Sequence, residues 1–244
     1  MPRFFANRDN ITDDTVRIIG DDAYHIARSL RMAVGDSLTV SDGEGTDYAC
    51  TLTKIRDEEC ECKIEDRRAS EAEPKIKISL FMAFPKGDKL ETVVQKSVEL
   101  GAIEITPFES SRCIKRPKAE KVDKQTARLT RIAHEAAKQS GRASLPAVNA
   151  PLTYKEMLSA ATKSDLALFC YEDEDATSIK AALCKNKYSS ISVIIGSEGG
   201  FSPDEAHLAK EAGCVSVTLG PRILRCETAP DYALSAISYE TELH

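Results

Sequence analysis

The sequence predicts an α/β protein in two parts: a small, mostly antiparallel β unit, then a larger domain with a mostly parallel sheet and helices on both faces. Three observations carry that prediction. Residues 1–70 hold short alternating segments separated by turn residues. From Lys75 onward, apolar strand-like runs alternate with amphipathic helix-like ones. Between the two, Arg67–Pro74 is polar and unpatterned and ends in a proline, as a linker would. The expected domains are 1–72 and 73–244.

In the first part the strand segments are 16–19, 37–42, 48–55 and 60–64, with Gly20, Gly35-Asp36 and Asp42-Gly43 supplying turns. A helical piece around Asp22–Met32 interrupts them, and a barrel is the expected shape. In the second part the strands are expected at 76–83, 103–108, 165–170, 191–195 and 215–219. Leu90, Val93, Val94, Ser97 and Val98 recur at helical spacing, with Gly101 placed to end that helix. A longer helix is expected from about Ala119 to Ser140. Thr153 and Glu156 have capping-box spacing for another.

Composition narrows the class. The chain of 244 residues is 42% hydrophobic and 30% charged, an ordinary globular balance. No stretch approaches the roughly 20 apolar residues of a membrane span, and the N-terminus has no apolar run of a signal peptide. A cytoplasmic protein is the expectation. The eight cysteines include no Cys-x-x-Cys pair and no histidine at ligand spacing, so scattered thiols are expected rather than a metal site. The formal net charge of −6 hides an asymmetry. Residues 42–73 are densely acidic, whereas 112–131 carry Arg112, Lys115, Arg116, Lys118, Lys121, Lys124, Arg128 and Arg131. Such a stretch suits RNA phosphates, although a charge run is more often a solvated helix face.

Two loops carry chemistry. The first follows strand 191–195 and reads Gly196-Ser197-Glu198-Gly199-Gly200-Phe201. It leads into a helix marked by Ser202 as N-cap, Pro203 at the first position and Glu205 completing a capping box. It is neither a dinucleotide fingerprint nor a Walker A loop. Glu198 would repel a diphosphate and suits a ligand bearing positive charge or hydroxyl donors, such as a sulfonium nucleoside. The second loop follows strand 215–219: Gly220-Pro221 turns the chain, Ile223-Leu224 are apolar, and Arg225, Glu227 and Thr228 follow, with Thr228 able to cap the last helix. Apolar walls beside a few polar groups have the makeup of a ligand site. The plainer alternative is that Ile223 and Leu224 plug the core while Arg225 and Glu227 pair with each other. In open α/β sheets both loops lie where ligands bind, outside the strands' carboxyl ends.

These loops, with Lys86-Gly-Asp-Lys89, Gln95-Lys96-Ser-Val-Glu99-Leu100-Gly101, Glu135-Ala-Ala-Lys-Gln139-Ser140-Gly141-Arg142, Pro2-Arg3-Phe4-Phe5 and His25…Leu30-Arg31…Gly35-Asp36, resemble the RsmE family of 16S ribosomal RNA (uracil-N3)-methyltransferases, of the SPOUT class. The resemblance spans nearly the whole chain. It implies a PUA-like RNA-binding barrel, a C-terminal domain with a trefoil knot, S-adenosylmethionine as cofactor, small-subunit 16S ribosomal RNA as partner, and a homodimer. It departs at Ser197, where the family has proline, and at Cys226, where it has threonine. A non-catalytic RNA-binding or ribosome-assembly protein is the rival reading; intact Arg225 and Glu227 favour the enzyme.

Under that resemblance, methyl transfer to uracil N3 needs placement and loss of the N3 proton. Arg225 is the candidate to stabilise the deprotonated ring, and Glu227 the candidate to accept the proton or to orient Arg225. Cofactor binding is assigned to Gly196, Glu198, Gly200, Leu219, Gly220, Ile223, Leu224, Arg225 and Glu227. RNA contacts are assigned to Arg3, Arg31, Lys96, Arg112, Arg116 and Arg142.

Overall fold

Alternation in the first 70 residues becomes a five-stranded sheet. The computed structural model describes residues 1–114, 119–171 and 177–243. It divides into two compact units, 1–73 with 137–145, and 74–136 with 146–244.

The first unit contains β1 (Arg3–Phe5), β2 (Thr15–Ile19), α1 (Asp21–Tyr24), β3 (Ser37–Ser41), β4 (Thr46–Ile55) and β5 (Glu59–Ala69). Instead of one helix over the predicted span, α1 runs into a π turn at His25–Ser29. The strand order is β1–β3–β4–β5–β2, with β1 parallel to β3 and the other pairs antiparallel. Period-two alternation aims Val16, Ile18, Leu38, Val40, Cys50, Leu52, Cys60 and Cys62 into one core, with Phe4 and Ile26. Burial pushes the thiol of Cys50 up to about 11 and that of Cys62 to about 12, so they serve as small apolar fillers. β5 is longer than its sequence pattern suggests: Arg67, Arg68 and Ala69 pair with Tyr48, Asp47 and Thr46. From Glu65 onward that strand is exposed, so no apolar alternation marks it.

The second unit contains β6 (Lys77–Ala83), α2 (Lys89–Glu99), β7 (Ala102–Glu109), α3 (Val122–Ser140), β8 (Ala147–Val148), β9 (Leu152–Thr153), α4 (Tyr154–Ala161), β10 (Leu166–Cys170), α5 (Ile179–Leu183), β11 (Ser190–Ile195), α6 (Pro203–Glu211), β12 (Val215–Val217) and α7 (Thr228–Glu242). Every described pairing in this sheet is parallel, in the order β12–β10–β11–β6–β7–β8, with β9 also on β7. Strands of a parallel sheet covered on both faces read as unbroken apolar runs, and Leu166–Phe169 and Ile191–Ile195 are buried throughout. The last turn of α3 and the residues to Leu145 belong to the first unit.

Local signals hold at the predicted positions. α2 buries Leu90, Val93, Val94, Ser97 and Val98, and capping boxes form at Thr153/Glu156 and Ser202/Glu205. One expectation is corrected. Thr228 does not cap the final helix but is its first residue, Glu227 occupying the cap position without a side-chain bond. The N–H groups of Thr228 and Ala229 instead donate to the Arg225 carbonyl, both at 2.9 Å. No described helix is long and apolar enough to cross a membrane.

Within the first unit Glu73 gathers the returning chain. Its carboxylate accepts from the N–H groups of Ala143 at 2.8 Å and Ser144 at 2.9 Å, and from Arg142 Nη2 at 3.0 Å. Burial alone would raise the Glu73 pKa, but the Ser144 N–H, Arg142 and the Ala143 N–H together hold it below the usual carboxylate range. Glu73→Ala leaves a buried guanidinium without its carboxylate, and is expected to cost about 3 kcal/mol in denaturant titration at neutral pH. Because the folded pKa lies below the unfolded one, Glu73's contribution is present above the carboxylate range and lost as pH falls through the lowered value. The gap between wild type and Glu73→Ala should therefore narrow from neutral pH toward about pH 3.

Candidate functional site

The strand order makes the site. β11 lies on one side of β10 and β12 on the other, so the chain crosses β10 between them, and their carboxyl-end loops meet over that strand. They enclose a cavity of about 450 Å³. Its walls come from Cys170 at the end of β10 and Tyr171 after it, from Ile195 at the end of β11 and Gly196 to Glu198, Gly200 and Phe201 after it, from Thr218 to Cys226 after β12, and from Lys89 and Ala229.

The first loop is held from below and behind. Phe201 is 2% exposed, and its ring lies 4.2 Å from Phe169 of β10 and stacks at 6.4 Å on Phe108 of β7. Gly200 takes φ +63, a left-handed conformation that a β-carbon disfavours. Behind it, the buried Glu205 accepts from Ser202 N at 2.9 Å, Ser111 N at 2.7 Å and Ser111 Oγ at 2.8 Å, tying the loop after β7 to the start of α6. That neighbouring loop in turn places Arg112, whose Nη1 donates to the Gly199 carbonyl at 2.8 Å.

Three of the charged groups at the cavity are linked to one another. The Glu198 carboxylate accepts from the Lys86 N–H at 3.0 and 3.2 Å and from Lys89 Nζ at 3.1 Å. Lys89 Nζ also lies 3.0 Å from Glu227 Oε2, and the buried Cys226 thiol donates to the same oxygen at 3.3 Å. Burial would raise the pKa of both carboxyls, but backbone N–H groups, Lys89 and Cys226 outweigh it, so both are held below the usual range. Lys89 is raised, first by Glu227 and then by Glu198. Burial, reinforced by Glu227, pushes the Cys226 thiol up to about 12 and keeps it neutral. Ser197 Oγ is buried and has no hydrogen-bond partner among the described residues.

Of the residues expected at a cofactor site, Gly196, Glu198, Gly200, Leu219, Gly220, Ile223, Leu224 and Arg225 all line the cavity. Glu227 is not in its lining but reaches it through Lys89. The plug-and-pair alternative for the second loop does not hold: Ile223 is 89% exposed, and Glu227 pairs with Lys89. For the same reason Glu227 does not orient Arg225, which is exposed and has no side-chain partner among the described residues. Sequence reasoning did not assign Lys89, Cys170, Tyr171, Ile195, Ser197, Phe201, Thr218, Pro221, Arg222, Cys226 and Ala229, which also line the cavity. For Lys89 a signal existed, the Lys-Gly-Asp-Lys run after an apolar strand.

The residues expected to meet RNA are scattered. Arg31 is exposed with φ +53 in the first unit. Lys96 pairs with Asp231 at 3.2 Å, and Arg112 supports the first loop. Arg116 lies outside the described residues. Two placements are corrections. Arg3 is turned inward onto Asp47 and Ser41, and Arg142 is 2% exposed and bound to Glu73. Both guanidiniums neutralise carboxylates of their own unit, so neither offers a free cation to phosphate.

Comparison with known proteins follows the same division. Residues 72–238 match the model of the RNA methyltransferase domain, and residues 18–65 match that of the RNA methyltransferase PUA domain. Ribosomal RNA small subunit methyltransferase E of Bacillus subtilis is 36% identical over 234 residues, covering 94% of this chain and 91% of that protein. Its namesake from Synechocystis is 32% identical, covering 97% and 77%. A crystal structure of ribosomal RNA small subunit methyltransferase E from Neisseria gonorrhoeae, bound to S-adenosyl methionine, superposes with a TM-score of 0.85 at 31% identity over 98% of both chains.

Proposed function

This chain belongs to the RNA methyltransferase family, and we propose that it methylates uracil N3 in 16S ribosomal RNA of the small subunit, with S-adenosylmethionine as donor. The observation that carries this reading is the cavity over β10 with the exposed Arg225 in its lining. Its volume falls in the range of about 300–1,000 Å³ typical of small-molecule sites. Three features of the lining fit the cofactor: glycines that leave room for close approach, the Ser197 hydroxyl with no partner among the described residues, and an ionised Glu198 that favours a cationic ligand. When bound, S-adenosylmethionine supplies an electrophilic methyl group on a sulfonium.

The chain's own residues supply placement and charge. Uracil N3 lies between two carbonyls, so loss of its proton spreads negative charge onto both oxygens. The Arg225 guanidinium, uncommitted to any carboxylate of the described residues, stabilises that charge and lowers the nucleobase pKa. Glu227 stays ionised, the state a proton acceptor requires, although its pairing with Lys89 lowers its basicity. The target base leaves its stack to reach the cavity, at a cost of a few kcal/mol. Arg31, Lys96 and Arg112, with Arg116, are the cations this reading assigns to RNA, and the PUA-like unit is its second RNA-binding surface. A ribosomal RNA substrate puts the reaction in the cytoplasm. The trefoil knot belongs to the same reading, supported by the passage of the chain across β10. So does a homodimer, supported by the exposed Tyr232, Tyr239 and Leu243 of α7 and its end.

Calorimetric titration is expected to show S-adenosylmethionine binding to the purified protein; no heat at millimolar cofactor would contradict the proposal. Arg225→Ala should keep most cofactor affinity while losing about 100-fold or more in methylation of small subunits. An equal loss of both would assign Arg225 to cofactor binding. Sedimentation is expected to report a species of twice the 26.7 kDa chain mass, and a monomer would remove the dimer from this reading.

A further inference from the structure

We propose that Lys89 is a positioning residue whose ammonium clamps the two cavity loops together by sharing itself between Glu198 and Glu227. The two carboxylates belong to loops that follow β11 and β12, strands that both pair with β10 and not with each other. Each carboxylate sits about one hydrogen bond from the same nitrogen, at 3.1 and 3.0 Å. The neutral Cys226 thiol beside them adds a hydrogen bond but no charge. Without Lys89, two anions within one ammonium's reach would repel, and the loops carrying them would separate.

An isolated surface ion pair would be too weak to support such a role. This one differs in three respects. The carboxylate side chains are each 24% exposed and that of Lys89 is 36% exposed, so water screens them only in part. One cation serves two anions, and Glu198 is also fixed by the Lys86 N–H. Finally, Lys89 is the first residue of α2, whose apolar face is buried, so the ammonium is carried on an anchored element. A loop pair held in place before the ligand arrives loses less freedom on binding. That consequence for cofactor capture rests on the methyltransferase reading, whereas the clamp itself does not.

Hydrogen–deuterium exchange on the ligand-free, full-length protein tests the clamp. In Lys89→Met, amides of 196–200 and of 224–229 should both exchange about fivefold faster, with β6 and β7 of the same unit unchanged as a control for folding. Lys89→Arg should restore both loops to near wild-type rates, and adding Glu227→Gln to Lys89→Met, which removes the repulsion between the two carboxylates, should bring both loops part of the way back. S-adenosylmethionine affinity should fall about fivefold in Lys89→Met and recover in Lys89→Arg. Unchanged exchange in either loop of Lys89→Met, or equal acceleration in both Lys89 variants, overturns the clamp. Exchange without ligand reads the loops whether or not S-adenosylmethionine binds, so failure of the methyl-donor reading stays distinguishable.

Discussion

Everything at the site follows from burying a parallel sheet on both faces. β6, β10 and β11 have no solvated face on which to display polar groups, and their side chains are spent on the core. Polar chemistry is pushed to the strand ends, and of the two ends the carboxyl side receives loops that turn directly into helices. The order β12–β10–β11 then brings two of those loops over one strand. Phe201 anchors the first of those loops by sinking its ring onto Phe169.

The cavity's lining holds four charged side chains, Lys89, Glu198, Arg222 and Arg225. Lys89, Glu198 and Glu227 form one electrostatic unit, and Arg225 stands apart from it. The division separates two tasks. Paired charges hold loops in place, while a guanidinium not committed to a carboxylate of the described residues can answer charge that develops on a substrate. Cys226 is compatible with this division, since a neutral thiol can donate to Glu227 as a hydroxyl would. The chain's Ser197 adds a buried hydroxyl where the family has proline, and with it a hydrogen-bonding group that a ligand or water can satisfy.

Much of the fold was legible because its signals are local. The apolar runs of β10 and β11, the helical spacing of Leu90 to Val98, and the Ser202 and Thr153 capping boxes are each written within a dozen residues. Part of the cavity lining was legible too, since glycine-rich turns at strand ends are expected to meet ligands. What was not legible depended on partners distant in sequence. Lys89 meets Glu198 across 109 residues, and no spacing rule reports such a contact. Arg142 was assigned to RNA through the family resemblance, which carries no account of its own partners, and Glu73, 69 residues earlier, draws it inside. Arg67 to Ala69 were missed as strand because an exposed strand end has no apolar alternation to show.

The central claim is that loops gathered over β10 present a methyl donor to a uracil of small-subunit RNA. Mass-spectrometric mapping of 16S ribosomal RNA, after incubating unmethylated small subunits with this protein and isotopically labelled S-adenosylmethionine, tests it most directly. The account predicts labelled 3-methyluridine at one position, and its absence with the Arg225→Ala protein. Label on a different base or on ribose, or no label with active wild-type protein, would contradict it.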